Sequence, residues 1–417
     1  MNRHQDLTSL LAPYRVLDLT DERGQFCGKL FSDAGADVIK IEKPGGDPSR
    51  RLGPFYGDGE EPEKSLHWLA YNTGKRSITL NLGVEEGRRL FERLVKEAHF
   101  VLESFVPGYM DDLGLSYAAL REINPGIIMI SVTPFGQTGP YRDYAGSDIT
   151  LMAMGGIMSL TGDRDRPPVK LCGQQAYDLA CGDAAAAGMI AHYYRQATGR
   201  GQHVDVSIYE SVVRLNHREP VNWEFEGRLT PRMGNRHARG ELSNRIIWGC
   251  RDGYVNWLLY GGAAGAKENV ALVQWMDEEG MATDLKDIDW AALDLWQRSQ
   301  AEIEAWEKRI GEFFLMHTKK ELEYEGSARG IRIVPVCDIE DVLESEQLAA
   351  RGYWTVLDHA EWEDSIRYPG QLLLSSCTRA RASRRAPFIG EHNLQIYGDE
   401  YGVSKEELVL LTQRGVI

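Results

Sequence analysis

The stretch GQQAYDLACGDAAAAG (173–188) sets two carboxylates, Asp178 and Asp183, five positions apart among alanines and glycines. Two carboxylates can share acid and base roles only when both reach one site. Five residues of helix rotate by roughly 140°, so these two face different ways and act separately. Asp178 stands where a helical run begins, and the helix dipole and N-terminal capping favour an acidic residue there without any catalysis. The small residues around it let such a helix pack closely. A second group with chemical potential is cationic. Lys40, Lys43, Arg50 and Arg51 fall in one strand–loop unit, and Lys75 and Arg76 come just before the next strand. Such a cluster can hold phosphates through charge-assisted hydrogen bonds, or can be solvated surface. Two turn-rich loops, KPGGDPSRRLGPF (43–55) and SFVPGYMDDLG (104–114), follow strand-like runs, the position where parallel sheets bind ligands.

Missing motifs narrow the chemistry. The chain has no G-x-G-x-x-G after its first strand and no phosphate-binding G-x-x-x-x-G-K-[ST], which removes the dinucleotide and ATP fingerprints. H-E-x-x-H and G-x-S-x-G are also missing. Cys27, Cys172, Cys181, Cys250, Cys337 and Cys377 form no C-x-x-C pair, so neither a disulfide framework nor a zinc site is expected. No metal ligand set and no tightly bound cofactor is expected. The formal net charge of −15 argues against nucleic acid. No apolar run has the length to cross a bilayer, and MNRHQDLTSLLAPYR lacks the features of a secretory leader. The expected setting is the cytoplasm.

The elements that must position these residues alternate. YRVLDLT (14–20) and ADVIKIEK (36–43) read as strands, with a helix over CGKLFSDAG between them that Gly35 stops. RSITLNL (76–82), the helix EEGRRLFERLVKEA (85–98), HFVLESF (99–105), a helix capped by Ser116 and ended near Asn124 by Pro125, and IIMISVT (127–133) continue the pattern. Strand–helix units with short connections predict an α/β fold with a parallel, Rossmann-like sheet. The large domain is expected over 1–205, a linker over 206–225, a small α+β domain over 226–325, and a linker with C-terminal return over 326–417. Within the small domain AEIEAWEKRIGEFFLMHTKKELEYE (301–325) reads as helix with one apolar stripe. GIRIVPVCD (330–338) reads as a strand by which the chain returns to a sheet. The runs VNWEF and VNWLLY could line an acyl pocket, or be core.

Six phrases, in order along the chain, resemble segments of the class III CoA-transferase family, which includes formyl-CoA and carnitine-CoA transferases and α-methylacyl-CoA racemases. They are VIKIEKPGGDPSR, NTGKRSITLNL, LESFVPGYMDDLGLSYAALREINPGIIMISVTPFGQTGPYRDYAGSD, TGRGQHVDVSIYES, GIRIVPVCDIEDVLESEQLAARGYW and APFIGEHN. The resemblance implies a ring-shaped chain forming an interlocked homodimer, with acyl-CoA and a free carboxylic acid as substrates and CoA as co-substrate. The family register selects Asp178, not Asp183, as the nucleophile. It attacks the thioester to give an aspartyl anhydride and then an aspartyl-CoA thioester. The resemblance places Arg23, Lys43, Lys75, Arg76, Leu80, Ser104, Thr133 and Phe135 around CoA.

This chain departs from the family at several of these positions. Arg23 replaces a frequent glutamine near the thioester, where it could bind a second substrate carboxylate. Ser104 replaces an asparagine, Asp112 an arginine and Thr133 a lysine used by some members. Ser147 and Gly261 or Gly262 stand where racemases carry a histidine and a glutamate, which disfavours racemisation. The acceptor is expected to be a bulky, aromatic or dicarboxylic acid. The alternatives are a subunit of a hetero-oligomeric CoA-transferase with a paralogous partner, and intramolecular CoA transfer, thioester hydrolysis or racemase-type chemistry.

Overall fold

A computed structural model describes residues 9–239, 242–376, 379–381 and 384–417; Cys377 and part of GNRHARGELSN lie outside the described residues. The chain divides into two units: Met1–Met158, Lys170–Arg228 and Glu346–Ile417 form one, and Ser159–Val169 and Leu229–Ser345 form the other.

In chain order the elements that matter for the site are β1 (Arg15–Asp18), α1 (Gln25–Asp33), β2 (Asp37–Glu42), α2 (Leu66–Tyr71), β3 (Arg76–Thr79), α3 (Glu85–Val95), β4 (Phe100–Glu103), α4 (Tyr109–Asp112), α5 (Tyr117–Ile123), β5 (Ile128–Thr133), α6 (Asp148–Met154), α7 (Ile157–Leu160), α8 (Gln175–Thr198), β6 (His203–Ser207) and α9 (Ile208–Arg214). Local signals set their ends. Gly35 follows α1 at φ +92°, a conformation that favours glycine. Ser116 caps α5 by accepting the Ala119 N–H at 3.2 Å.

The six strands form one sheet in the order β3-β2-β1-β4-β5-β6, with every pairing parallel. This is the doubly wound arrangement, whose strand order reverses between β1 and β4. Residues of β1 to β5 are buried on both faces, as parallel sheets require, while the edge strand β6 exposes His203 and Asp205. One face carries a core with Phe91 and Leu94 of α3, Leu120 of α5 and the C-terminal Ile396, Tyr397 and Leu411. The other face packs Phe31 of α1, Leu151 of α6 and the small residues of α8.

That small-residue stripe has a packing role. Ala176, Ala180, Ala184, Gly188 and Ala191 recur at helical spacing and are buried. A Cβ at Gly188 would stand 2.6 Å from Ile130 Cδ1 and 3.2 Å from Phe31 Cζ, so any side chain there must push these neighbours aside. Beneath α1 lies a buried ion cluster. Lys75 Nζ donates to Asp18 Oδ2 at 2.8 Å, to the Gln25 carbonyl at 2.8 Å and to Asn72 Oδ1 at 2.9 Å. Burial pushes the Asp18 carboxyl up, but Lys75 and Lys40 outweigh it and hold the carboxyl below its usual range.

The second unit has its own core, in which Trp248, Trp257 and Phe314 meet. The run 301–325 forms two helices, Gln300–Phe314 and Lys319–Ala328. Ser299 with Glu302 and Thr318 with Glu321 start them as capping boxes. Ile303, Trp306 and Ile310 supply the expected apolar stripe. The strand expected within 330–338 is two residues long and joins a sheet of the second unit. Val334–Pro335 pairs antiparallel with Gly253–Asn256, in a three-stranded sheet of the second unit. Among the described residues no helix is long and apolar enough to cross a membrane.

Candidate active site

The helix carrying Asp178 begins three residues earlier than its acidic residue suggests. Gln174 is the N-cap, without a side-chain cap bond, and Asp178 lies in the first turn. The capping duty falls to Asp148, at the start of α6, whose Oδ1 accepts the Ala176 N–H at 2.8 Å. The Asp178 carboxylate is therefore not spent on its own helix. It is half-buried, and Tyr71 at the end of α2 donates its hydroxyl to Asp178 Oδ2 at 3.1 Å. Burial pushes the Asp178 carboxyl up to about 6, the Tyr71 hydrogen bond opposes this, and the nearby Asp148 charge adds to it. At neutral pH the group is an ionised carboxylate with little solvation, which favours nucleophilic attack. Burial and Asp178 itself raise the Tyr71 phenol far above its usual range, so it stays a donor.

Tyr71 is held by a short, well-anchored helix. Ser65 caps α2 by accepting the Trp68 N–H at 3.2 Å, and Trp68 Nε1 donates to the Pro387 carbonyl at 3.0 Å. The Arg50 guanidinium stacks on Trp68 at 3.6 Å. Phe26 of α1 meets the Tyr71 ring edge-on at 5.8 Å, and His67, one turn back on α2, lies 4.7 Å from it. Cys181, one turn beyond Asp178, gives its Sγ to the Arg23 carbonyl at 3.3 Å. Burial pushes its thiol up to about 12, which leaves Cys181 no role as a thiolate at neutral pH.

The residues expected around CoA separate into three groups. Arg23 and Ser104 meet at the strand-order reversal: Ser104 Oγ donates to Asp21 Oδ1 at 2.8 Å and accepts the Asp21 N–H at 2.9 Å. Arg23 Nε grips the same carboxylate at 2.9 and 3.0 Å. At the carboxyl ends of the neighbouring strands, Lys43 is exposed and Leu80 is buried in the core. Thr133 is buried, its Oγ1 without a hydrogen-bond partner among the described residues. Phe135 packs on Tyr141 and Tyr209, each at 5.8 Å. Lys75 and Arg76 are placed otherwise. Lys75 is wholly buried in the Asp18 cluster, and Arg76 binds Asp37 through Nε at 2.9 Å and pairs with Glu400. Both cations are committed to the fold. Lys40 and Arg50 are buried in ion pairs as well, with Asp47 and Glu42, so Lys43 and Arg51 are the exposed members of the expected phosphate cluster.

Asp183, on another side of α8, accepts from Arg214 of α9 at 3.0 Å. Ser147 forms a capping box with Thr150 at the start of α6. The two tryptophan runs part company: Trp257 is core, while Trp223 and Phe225 are exposed on Arg218–Glu226. Tyr71, His67 and Asp148 are the residues around Asp178 that sequence reasoning did not single out. Their one sequence signal is the i, i+4 spacing of His67 and Tyr71 on a six-residue helix. Among the described residues no group of three His, Cys, Asp or Glu side chains could hold a metal ion.

The doubly wound sheet thus carries a half-buried carboxylate, Asp178, in the first turn of α8. The model of CoA-transferase family III matches residues 11–393, and the chain belongs to this family. It is 35% identical over 389 residues to the succinyl-CoA:(R)-benzylsuccinate CoA-transferase subunit BbsE of Thauera aromatica, covering 92% of each chain. It is 34% identical to the succinyl-CoA–D-citramalate CoA-transferase of Chloroflexus aurantiacus, covering 97% of each. The crystal structure of a CaiB/BaiF family protein from Brucella suis superposes with a TM-score of 0.81 at 30% identity, covering 94% of this chain and 99% of that one.

Proposed function

We propose that this enzyme moves CoA from an acyl-CoA to a dicarboxylic acid, with Asp178 as nucleophile. An Asp178 oxygen attacks the thioester carbonyl, the C–S bond breaks, and an aspartyl acyl anhydride and CoA thiolate result. The thiolate attacks Asp178 Cγ, forms the aspartyl-CoA thioester and expels the donor acid as its carboxylate. The acceptor carboxylate attacks this thioester and returns CoA thiolate. The thiolate then takes the new acyl group from the anhydride and frees Asp178. The observation that carries the reading is the Tyr71–Asp178 hydrogen bond. It leaves Oδ1 for attack and holds a donor on Oδ2, the oxygen that bears negative charge when the thiolate adds to Cγ. Replacing Asp178 with Asn should abolish transfer by purified protein; retained transfer contradicts the reading.

The dicarboxylic acceptor is supported by the named substrates of the benzylsuccinate and citramalate relatives. Racemisation is less well supported, because Ser147 serves as a helix cap and offers no base. An interlocked homodimer acting in the cytoplasm completes the proposal. Its support in the structure is the run of exposed apolar residues Ile190, Tyr193, Leu215, Val221, Trp223 and Phe225. A second reading, one subunit of a hetero-oligomer, is favoured by the relative whose name calls it a subunit. Transfer by the isolated chain decides between them.

A further inference from the structure

We infer that His67 reads the second carboxylate of a dicarboxylic acyl group bound at Asp178, an assignment that rests on the reading of Asp178 above. His67 and Tyr71 lie four residues apart on α2 and so share a helix face. Their rings are 4.7 Å apart and tilted by 33°. Tyr71 uses that face to reach Asp178, which puts the imidazole one side chain from the reacting carboxylate. His67 Nε2 is buried and has no hydrogen-bond partner among the described residues. A buried ring nitrogen left unpaired is costly unless a water or a ligand completes it.

The other polar groups around this helix are already spent. Asp47, in the loop after β2, is the charged group facing the imidazole. Its carboxylate accepts from Ser49 N–H at 2.9 Å and Ser49 Oγ at 2.6 Å, and pairs with Lys40 at 3.3 Å. Arg50 is bound to Glu42 and Glu63. Arg23, the residue whose type first suggests a carboxylate receptor, is gripped by Asp21. His67 has no such partner at Nε2. An Nε2–H aimed at a carboxylate oxygen separates a dicarboxylic acyl group from one ending in methyl, because the methyl leaves the nitrogen unpaired.

The test compares succinyl-CoA with butyryl-CoA, which have the same chain length and differ in the terminal carboxylate. The rate of CoA adduct formation on the enzyme gives kcat/KM for each. The wild-type protein should prefer succinyl-CoA. His67→Ala should lower the succinyl-to-butyryl ratio by about 10- to 100-fold, the range for a hydrogen bond to a charged group. His67→Gln, which keeps an N–H donor, should restore part of the ratio, and it carries the test if the alanine variant does not fold. An unchanged ratio, including equal loss for both thioesters, overturns the assignment, as does a wild-type enzyme with no preference. Adduct formation by Asp178→Asn instead overturns the reading of Asp178, whatever His67 does.

Discussion

At the scale of single residues, the proposed chemistry turns on how the Asp178 carboxylate is held. Asp178 was legible as an aspartate at a helix start, and the family register selected it over Asp183. Its partner Tyr71 was not legible, because the contact joins residues 107 positions apart and nothing in HWLAYN marks a tyrosine aimed at a remote helix. With the Asp178 carboxyl at about 6, transfer should fall as pH drops through 6, since the protonated acid cannot attack. Tyr71→Phe removes the donor that favours the ionised form. The acid limb should therefore move to higher pH, and kcat should fall about 100-fold, as for loss of an oxyanion donor. A pH–rate series on both proteins checks this, and an acid limb left in place in the variant contradicts it. Lys75 teaches the opposite lesson. Its place before a strand looked like a phosphate ligand, yet the third strand leaves it beneath α1, paired with Asp18. Lys75→Met should cost about 3 kcal/mol by taking the nearest cation from the buried Asp18 carboxylate, which keeps only Lys40 at 4.0 Å and Thr20, measured by chemical denaturation.

At the scale of elements, strand and helix alternation was readable because buried parallel strands and amphipathic helices write different periods into the chain. Ser116, Pro125 and Gly35 fixed ends that the structure keeps. What the pattern did not reveal is which neighbour each small residue meets. The alanines and glycines of α8 read as room for close packing, and half of them, Ala176, Ala180, Ala184, Gly188 and Ala191, are buried on that face, whereas Gly182 faces open space. Gly188→Val should destabilise the protein by about 1–3 kcal/mol, because its side chain has no room against Ile130. The sequence of 330–338 reads as a strand but does not say which sheet it joins, because two residues of β character leave the edge they pair with open. A buried carboxyl also marks the end of β4. Glu103 accepts the Phe105 N–H at 2.8 Å. Burial pushes it up to about 7, against opposing bonds from Ser131 and Phe105. The folded chain holds this proton where the unfolded chain has released it, so stability should fall as pH rises from about 4 to 7. Glu103→Gln should flatten that slope in denaturation curves; an unaltered slope would contradict the assignment.

At the scale of the whole molecule, the net charge of −15 and the buried local cations are compatible because each of Lys40, Arg50, Lys75 and Arg76 carries its own carboxylate. Phe225 and Tyr193 are 86% and 79% exposed, the kind of apolar surface that a partner covers when it is contiguous. If they meet a second copy, Phe225→Asp together with Tyr193→Asp should shift sedimentation toward the monomer; an unshifted profile would contradict the dimer. The central claim is the covalent passage of CoA through Asp178. Purified enzyme given succinyl-CoA and then hydroxylamine should carry a hydroxamate, found by peptide mass spectrometry on Asp178 and missing from Asp178→Asn. Transfer activity without a modified Asp178, or a hydroxamate on another residue, would contradict the account.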